Sequence, residues 1–180
     1  MEWVVLGGVG LVFVGLVIFA LIRSTKKDWR WLARRMGMAE KGGAMAVMKE
    51  GLALTIEARE ASNKRVHGRL VFRIGFPTRL GLGLSIMGRP PGKRSLRILT
   101  TGDAAFDDLV AVESREEKQA LAYLTPERRD CLKQLIETDP RATVNDAEIV
   151  WNRNGTVTRL ADLKQLTDEL IGAGQTLYPG

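Results

Sequence analysis

The sequence predicts an α+β fold in which an N-terminal transmembrane helix is followed by a mainly antiparallel sheet packed against helices. Three observations predict it. Residues 3–22 read WVVLGGVGLVFVGLVIFALI, 20 consecutive residues without a polar side chain. Apolar runs of period two, between residues 44 and 86, are separated by Gly-rich or polar turns. Strand runs and helical stripes do not alternate regularly, which argues against a parallel βαβ sheet.

Taken in order, the first element is the apolar run. As a helix, 20 residues cover about 30 Å, the thickness of a bilayer's hydrocarbon. Only Met1 and Glu2 precede it, so it lacks the basic n-region of a signal peptide. Its C-terminal flank carries Arg23, Lys26, Lys27, Arg30, Arg34 and Arg35 against Asp28. That excess predicts a single-pass topology with a short N-terminus outside and the C-terminal domain in the cytoplasm. Gly7, Gly8, Gly10 and Gly15 contain no GxxxG pair for self-association. The expected organisation is an anchor at 1–22, a basic juxtamembrane helix at 23–37, a cytoplasmic α+β domain at 38–172 and a flexible tail at 173–180.

Trp29, Leu32, Ala33 and Met36 fall at i, i+3, i+4 and i+7, which predicts a helix over 26–36 ended by Gly37. Trp31 lies off that stripe among arginines. Strands are expected at 44–49 and 52–58 around a tight turn at Glu50-Gly51. A third, 66–76, points Val66, Leu70, Phe72, Ile74 and Phe76 inward, with 61–65 as the turn before it. Leu80, Leu82, Leu84 and Ile86 continue the period, with Gly81 and Gly83 on the other face of a glycine-rich strand. Residues 88–93, GRPPGK, read as a loop, and 95–99 as a short strand ended by TTGD. Phe106, Val110 and Val112 anchor an irregular segment that enters a strand.

Thr125 and Pro126 form an N-cap and first helical position, followed by the stripe Cys131, Leu132, Leu135 and Ile136. NRNG at 152–155 predicts a hairpin between strands at 148–151 and 156–158. A last helix is expected over 160–171 with Leu163, Leu166 and Leu170 buried.

The formal charge of +6 is unevenly spread. Residues 23–98 hold 18 Lys or Arg and 5 Asp or Glu, a net of +13; residues 99–180 hold 9 and 15, a net of −6; Glu2 brings the sum to +6. Lys26, Lys27, Arg30, Trp31, Arg34 and Arg35 form a basic patch expected to face lipid, with anionic phospholipid headgroups and the bilayer itself as partners. No recognition helix, zinc spacing or stacking platform accompanies the charge, so no nucleic acid is expected.

Recognisable catalytic chemistry is sparse. Cys131 is the only cysteine, which excludes an intrachain disulfide, and its apolar neighbours predict burial on a helix. His67 is the only histidine and sits on an outward strand position beside arginines. A zinc site lacks ligands, and no GxSxG elbow, GxxxxGK[ST] loop or strand-linked GxGxxG is present, so no metal or cofactor is expected. Asp103, Asp107 and Asp108 are the densest carboxylate group and the one weak polar site; their spacing is not that of an EF-hand. Asn154-Gly155-Thr156 has the glycosylation pattern, for which turn formation is a sufficient reason.

TTGDAAFDDLVAV followed by LTPERRDCLKQL resembles a pattern in uncharacterised bacterial membrane-anchored proteins that carry one small cytosolic domain. The matching residues are Gly102, Asp103, Phe106, Asp107, Leu124, Thr125, Pro126 and Arg128. The resemblance implies a bacterial inner membrane location and carries no activity. The functional expectation is therefore a membrane-tethered interaction or scaffold domain with a protein partner. The alternatives are an anionic-lipid-sensing domain and an enzyme with an unfamiliar site.

Overall fold

A computed structural model describes residues 30–41, 43–59, 69–89, 98–154 and 160–178. Residues 30–35 are helical (α1). There follow β1 (Ala39–Lys41), β2 (Ala44–Lys49), β3 (Leu52–Arg59), β4 (Arg69–Gly75), β5 (Ser85–Gly88), α2 (Ala104–Leu109), β6 (Val110–Glu113), α3 (Glu117–Tyr123), α4 (Pro126–Thr138), β7 (Thr143–Asn145), β8 (Glu148–Asn154) and α5 (Leu160–Leu177).

The described strands form one antiparallel sheet of eight in the order β1-β2-β3-β4-β8-β7-β5-β6. Turn chemistry builds the first half. Glu50 (φ 53°) and Gly51 (φ 81°) are both left-handed, as a type I′ turn requires, so Lys49 faces Leu52 and the β2–β3 register is fixed. In that register Leu54 lies beside Ile74, and Ile56 beside Phe72, all buried on one face. α1 ends in a Schellman motif: Met38 N donates to Ala33 O at 2.8 Å and Gly37 N to Arg34 O at 3.2 Å, with Gly37 at φ 66° and Met38 buried beyond it.

The two halves of the chain meet where β8 lies beside β4, from Arg69↔Asn154 to Gly75↔Glu148. Phe72 and Trp151 meet edge-on across this seam, with ring centroids 5.5 Å apart. On the opposite face Arg73 binds Glu148 at 3.0 Å and approaches Glu57 at 3.9 Å. α5 closes over β3 and β4 with Leu163, Thr167, Leu170, Ile171, Gly174 and Leu177, an unbroken helical stripe. Gly174 permits the close approach, since a Cβ there would lie 2.7 Å from Leu52 Cδ1 and 3.0 Å from Ile74 Cγ2.

Several expectations are corrected. Among the described residues no helix is long and apolar enough to cross a membrane. The described fold is thus an antiparallel sheet with helices packed on it and includes no spanning helix, contrary to the expected fold class and single-pass topology. The physical reason lies in the described helices themselves: even α5, the longest of them at 18 residues, is amphipathic, with Asp162, Lys164, Asp168 and Glu169 on its outer side. Segment 3–22, which carries the expected span, lies outside the described residues, as do Lys26, Lys27, Trp29, His67 and the strand expected at 156–158.

Residues 81–84 are not strand, because Gly81 (φ 74°) and Gly83 (φ 60°) take a conformation the ladder excludes. The Asp146 carboxylate replaces a strand partner there, accepting from Gly83 N at 2.7 Å and Leu84 N at 2.8 Å. A hairpin that the sequence reading did not anticipate precedes β8: β7 and β8 are joined by Asp146-Ala147. The Asn145 side chain fixes that turn by accepting from Ala147 N at 2.7 Å and Glu148 N at 3.1 Å. Residues 173–178 are no loose tail. α5 continues through Leu177, and Tyr178 stacks on Phe76 at 5.6 Å and shares a hydrogen bond with Thr78 at 2.8 Å.

Candidate functional site

The acidic group at the start of α2 is a set of structural joints. Asp103 is the N-cap, accepting from Phe106 N at 3.1 Å, while its other oxygen lies 3.4 Å from Arg129 Nε of α4. That contact is a charge pair without hydrogen-bond geometry, and the buried Arg129 Nε has no hydrogen-bond partner. Asp107 turns the opposite way. It accepts from Thr101 N at 3.1 Å, Thr101 Oγ1 at 2.9 Å and Gly102 N at 3.2 Å, pinning the preceding loop. Asp108 is exposed. The three carboxylates expected as a weak polar site therefore do not converge. Among the described residues no group of three or more His, Cys, Asp or Glu could hold a metal ion.

The described part of the expected basic patch is on the surface. Arg30, Trp31, Arg34 and Arg35 are all exposed, Trp31 by 52%, and the Arg35 guanidinium lies 5.3 Å over the Trp31 ring. Arg30 has an acid nearby, Glu40 at 3.9 Å.

Cys131 is half-buried between α4 and α5, its Sγ directed at Ala173 O at 4.0 Å. Burial, with Glu127 beside it, pushes the thiol up to about 11, so at neutral pH it is not a thiolate nucleophile. The neighbouring Tyr123 hydroxyl donates to Leu177 O. Arg128 stacks 4.4 Å above the Tyr123 ring and donates to Thr176 O at 3.0 Å and Tyr123 O at 2.9 Å, tying the end of α5 to the α3–α4 junction.

Burial pushes the Tyr123 phenol up to about 12 against the opposing pull of Arg128. The folded chain holds this proton after the unfolded chain, whose tyrosine ionises near pH 10, has lost it. The stabilisation is therefore complete below pH 10 and disappears as pH rises toward 12. Two units correspond to about 2–3 kcal/mol. Urea unfolding at pH 8.5 and 11.5 is expected to show this loss in the native chain and a smaller one in Tyr123→Phe. Equal losses in both would remove Tyr123 as the alkaline trigger.

Sequence reasoning missed Asp139, the most engaged carboxylate described. It is 3% exposed at the end of α4 and accepts from Asn152 N at 2.8 Å, Asn152 Nδ2 at 3.1 Å, Arg141 N at 3.2 Å and Arg141 Nε at 3.3 Å. Arg141 Nη2 donates onward to Asn154 Oδ1 at 3.0 Å. Beside this network an open groove of about 670 Å³ runs between the 138–141 turn, the end of β8 and Leu166 of α5. The available signal is the Asp-Pro pair after a helical stripe, which predicts a helix end but not a carboxylate turned inward.

Fold and site together define a sheet-and-helix domain whose polar groups mostly serve its own joints. No protein-family model and no curated protein sequence matches the chain. Its fold is similar to the crystal structure of the mycobacterial trehalose monomycolate transport factor A, TtfA, with a TM-score of 0.53 over 86% of this chain and 96% of that one, at 9% identity. That likeness shows the fold alone. The resemblance to membrane-anchored proteins with one small cytosolic domain is corrected accordingly. Its motif residues are accounted for by local structure: Asp103 and Thr125 are helix caps, Phe106 is a core residue and Arg128 is a clamp on α5.

Proposed function

We propose that this chain acts by contact, as an interaction or scaffold domain without a catalytic centre. The observation that carries the reading is where its reactive side chains are used. Asp103, Asp107, Asp139 and Asp146 each hold a turn or a helix end, and Cys131 is kept protonated. The exposed charge on α1 is the contrasting feature. Arg34 and Arg35 are exposed on the same helix as the exposed Trp31, with Arg35 over its ring, a surface suited to an anionic partner such as phospholipid headgroups or an acidic protein face. The fold relative is named as a transport factor, a description compatible with a contact-making domain.

One experiment with two arms tests the reading in cells that depend on the full chain. In the chemical arm, Cys131→Ala and Asp107→Asn leave function proportional to the amount of folded chain. In the contact arm, Arg34→Glu with Arg35→Glu lowers function more than tenfold at unchanged thermal unfolding. The reverse pattern overturns the proposal. Vesicles of phosphatidylglycerol, compared with phosphatidylcholine, separate a lipid partner from a protein one.

A further inference from the structure

We infer that the splayed edge of β8 is a strand-addition site for an extended acidic peptide segment of a partner protein. The inference rests on the interaction-domain reading and deepens it.

β8 is paired with β4 along its whole length, but on its other side β7 reaches only Ile149 and Val150. Beside Trp151 to Asn154 there is no further strand among the described residues. The Asn152 N–H points to this side, because it donates to the Asp139 carboxylate at 2.8 Å. Backbone groups of a strand alternate sides, so the Asn152 carbonyl and the Asn154 amide face the same way. What they face is the groove of about 670 Å³, within the roughly 300–1,000 Å³ usual for binding clefts. Asp139 already takes the Asn152 N–H, so the part of this edge that can template another strand is the Asn152 carbonyl and the Asn154 amide.

The chemistry of the groove selects the occupant. Trp151 and Leu166 supply its apolar lining, and Arg141 and Arg153 its cations. Among the described residues its one lining carboxylate, Asp139, is buried and already accepts from four donors. The charge presented to a ligand is therefore positive. Arg141 is held between Asp139 and Asn154, so its guanidinium is oriented before any partner arrives. Trp151 and Arg153 are two residues apart on one face of β8. A strand added at this edge would set an apolar residue opposite Trp151 and an acidic residue, two positions along, opposite Arg153.

The probe is a capped hexapeptide, Thr-Glu-Thr-Val-Thr-Glu, which sets valine and glutamate two positions apart on one face in either strand direction, added to the full-length chain. Its controls are the lysine counterpart and a glutamate peptide with alternate amides N-methylated. The glutamate peptide is expected to slow hydrogen exchange at the Asn154 amide at least tenfold and to bind at least tenfold more tightly than either control. Arg153→Glu, an exposed position, is expected to reverse the preference between glutamate and lysine peptides without changing thermal unfolding. Equal binding of the two charge types overturns the inference, as does an Asn154 amide already protected in the dilute free chain. Protection that grows with chain concentration alone assigns the edge to a second copy and also overturns it. Failure here with a positive contact arm at Arg34 and Arg35 removes this inference and leaves the interaction-domain reading standing.

Discussion

Asp139→Ala is expected to lower folding stability by about 2–4 kcal/mol, from the buried donors it strands. The carboxylate stands where β7 has already turned away from β8. It takes the Asn152 N–H that a longer β7 would have accepted, and it fixes the Arg141 backbone and guanidinium. Alanine removes all of these acceptors at once. Asp139→Asn keeps one acceptor oxygen but points an NH₂ group at a donor, so it should lose roughly half as much. Urea denaturation of the two variants beside the native chain measures both losses. A loss below about 1 kcal/mol for the alanine variant would mean that water entering the open groove replaces the carboxylate.

Gly88→Ala should be the second damaging change, costing about 1–3 kcal/mol through overpacking. A Cβ at Gly88 would lie 2.6 Å from Pro140 O and 3.2 Å from Ile136 Cγ2. The Pro140 carbonyl is backbone in a turn held by Asp139 N donating to Leu135 O at 3.0 Å and Ala142 N donating to Asp139 O at 2.8 Å. It cannot swing aside as a side chain would, so β5 must shift from the end of α4. Gly75→Ala is the matched control, since its Cβ would meet Ala53 Cβ at an ordinary 3.5 Å. Thermal unfolding should move strongly for the first and within the noise of a surface change for the second. Similar shifts in both would place the effect in strand propensity, not in the Pro140 contact.

Both changes fall on one corner, where the end of α4, β5 and β8 meet. Nothing local marks that corner in the sequence. Gly88 reads as the start of a Pro-rich loop and Asp139 as a residue after a helix. Their importance comes from Pro140, which touches one and follows the other. The short helices α2 and α3 were hidden for a related reason. α2 is six residues long and α3 seven, too short for a full period of apolar stripe. In α3 the usable signal is Ala120, Tyr123 and Leu124 at i, i+3 and i+4, and it only becomes decisive once all three are buried together.

The sequence by itself determined the features whose physics is local. Glu50-Gly51 makes a two-residue turn, Gly37 ends α1 in a left-handed cap, and Thr125-Pro126 begins α4. Period-two burial in β3, and in β4 apart from the additionally buried Val71, follows from alternation of side chains across a strand. Tertiary structure decided what depends on groups distant in the chain. It placed β8 between β4 and β7, turned residues 81–84 out of the sheet onto Asp146, and extended α5 through Leu177 by giving its last turn Arg128, Tyr123 and Phe76 to pack on. It also separated Asp103 from Asp107, which are four residues apart and bind different partners. Spacing along the chain fixes which side chains can be neighbours on one element. It does not fix where a carboxylate finds its donors, because those arrive from other elements only when the core closes.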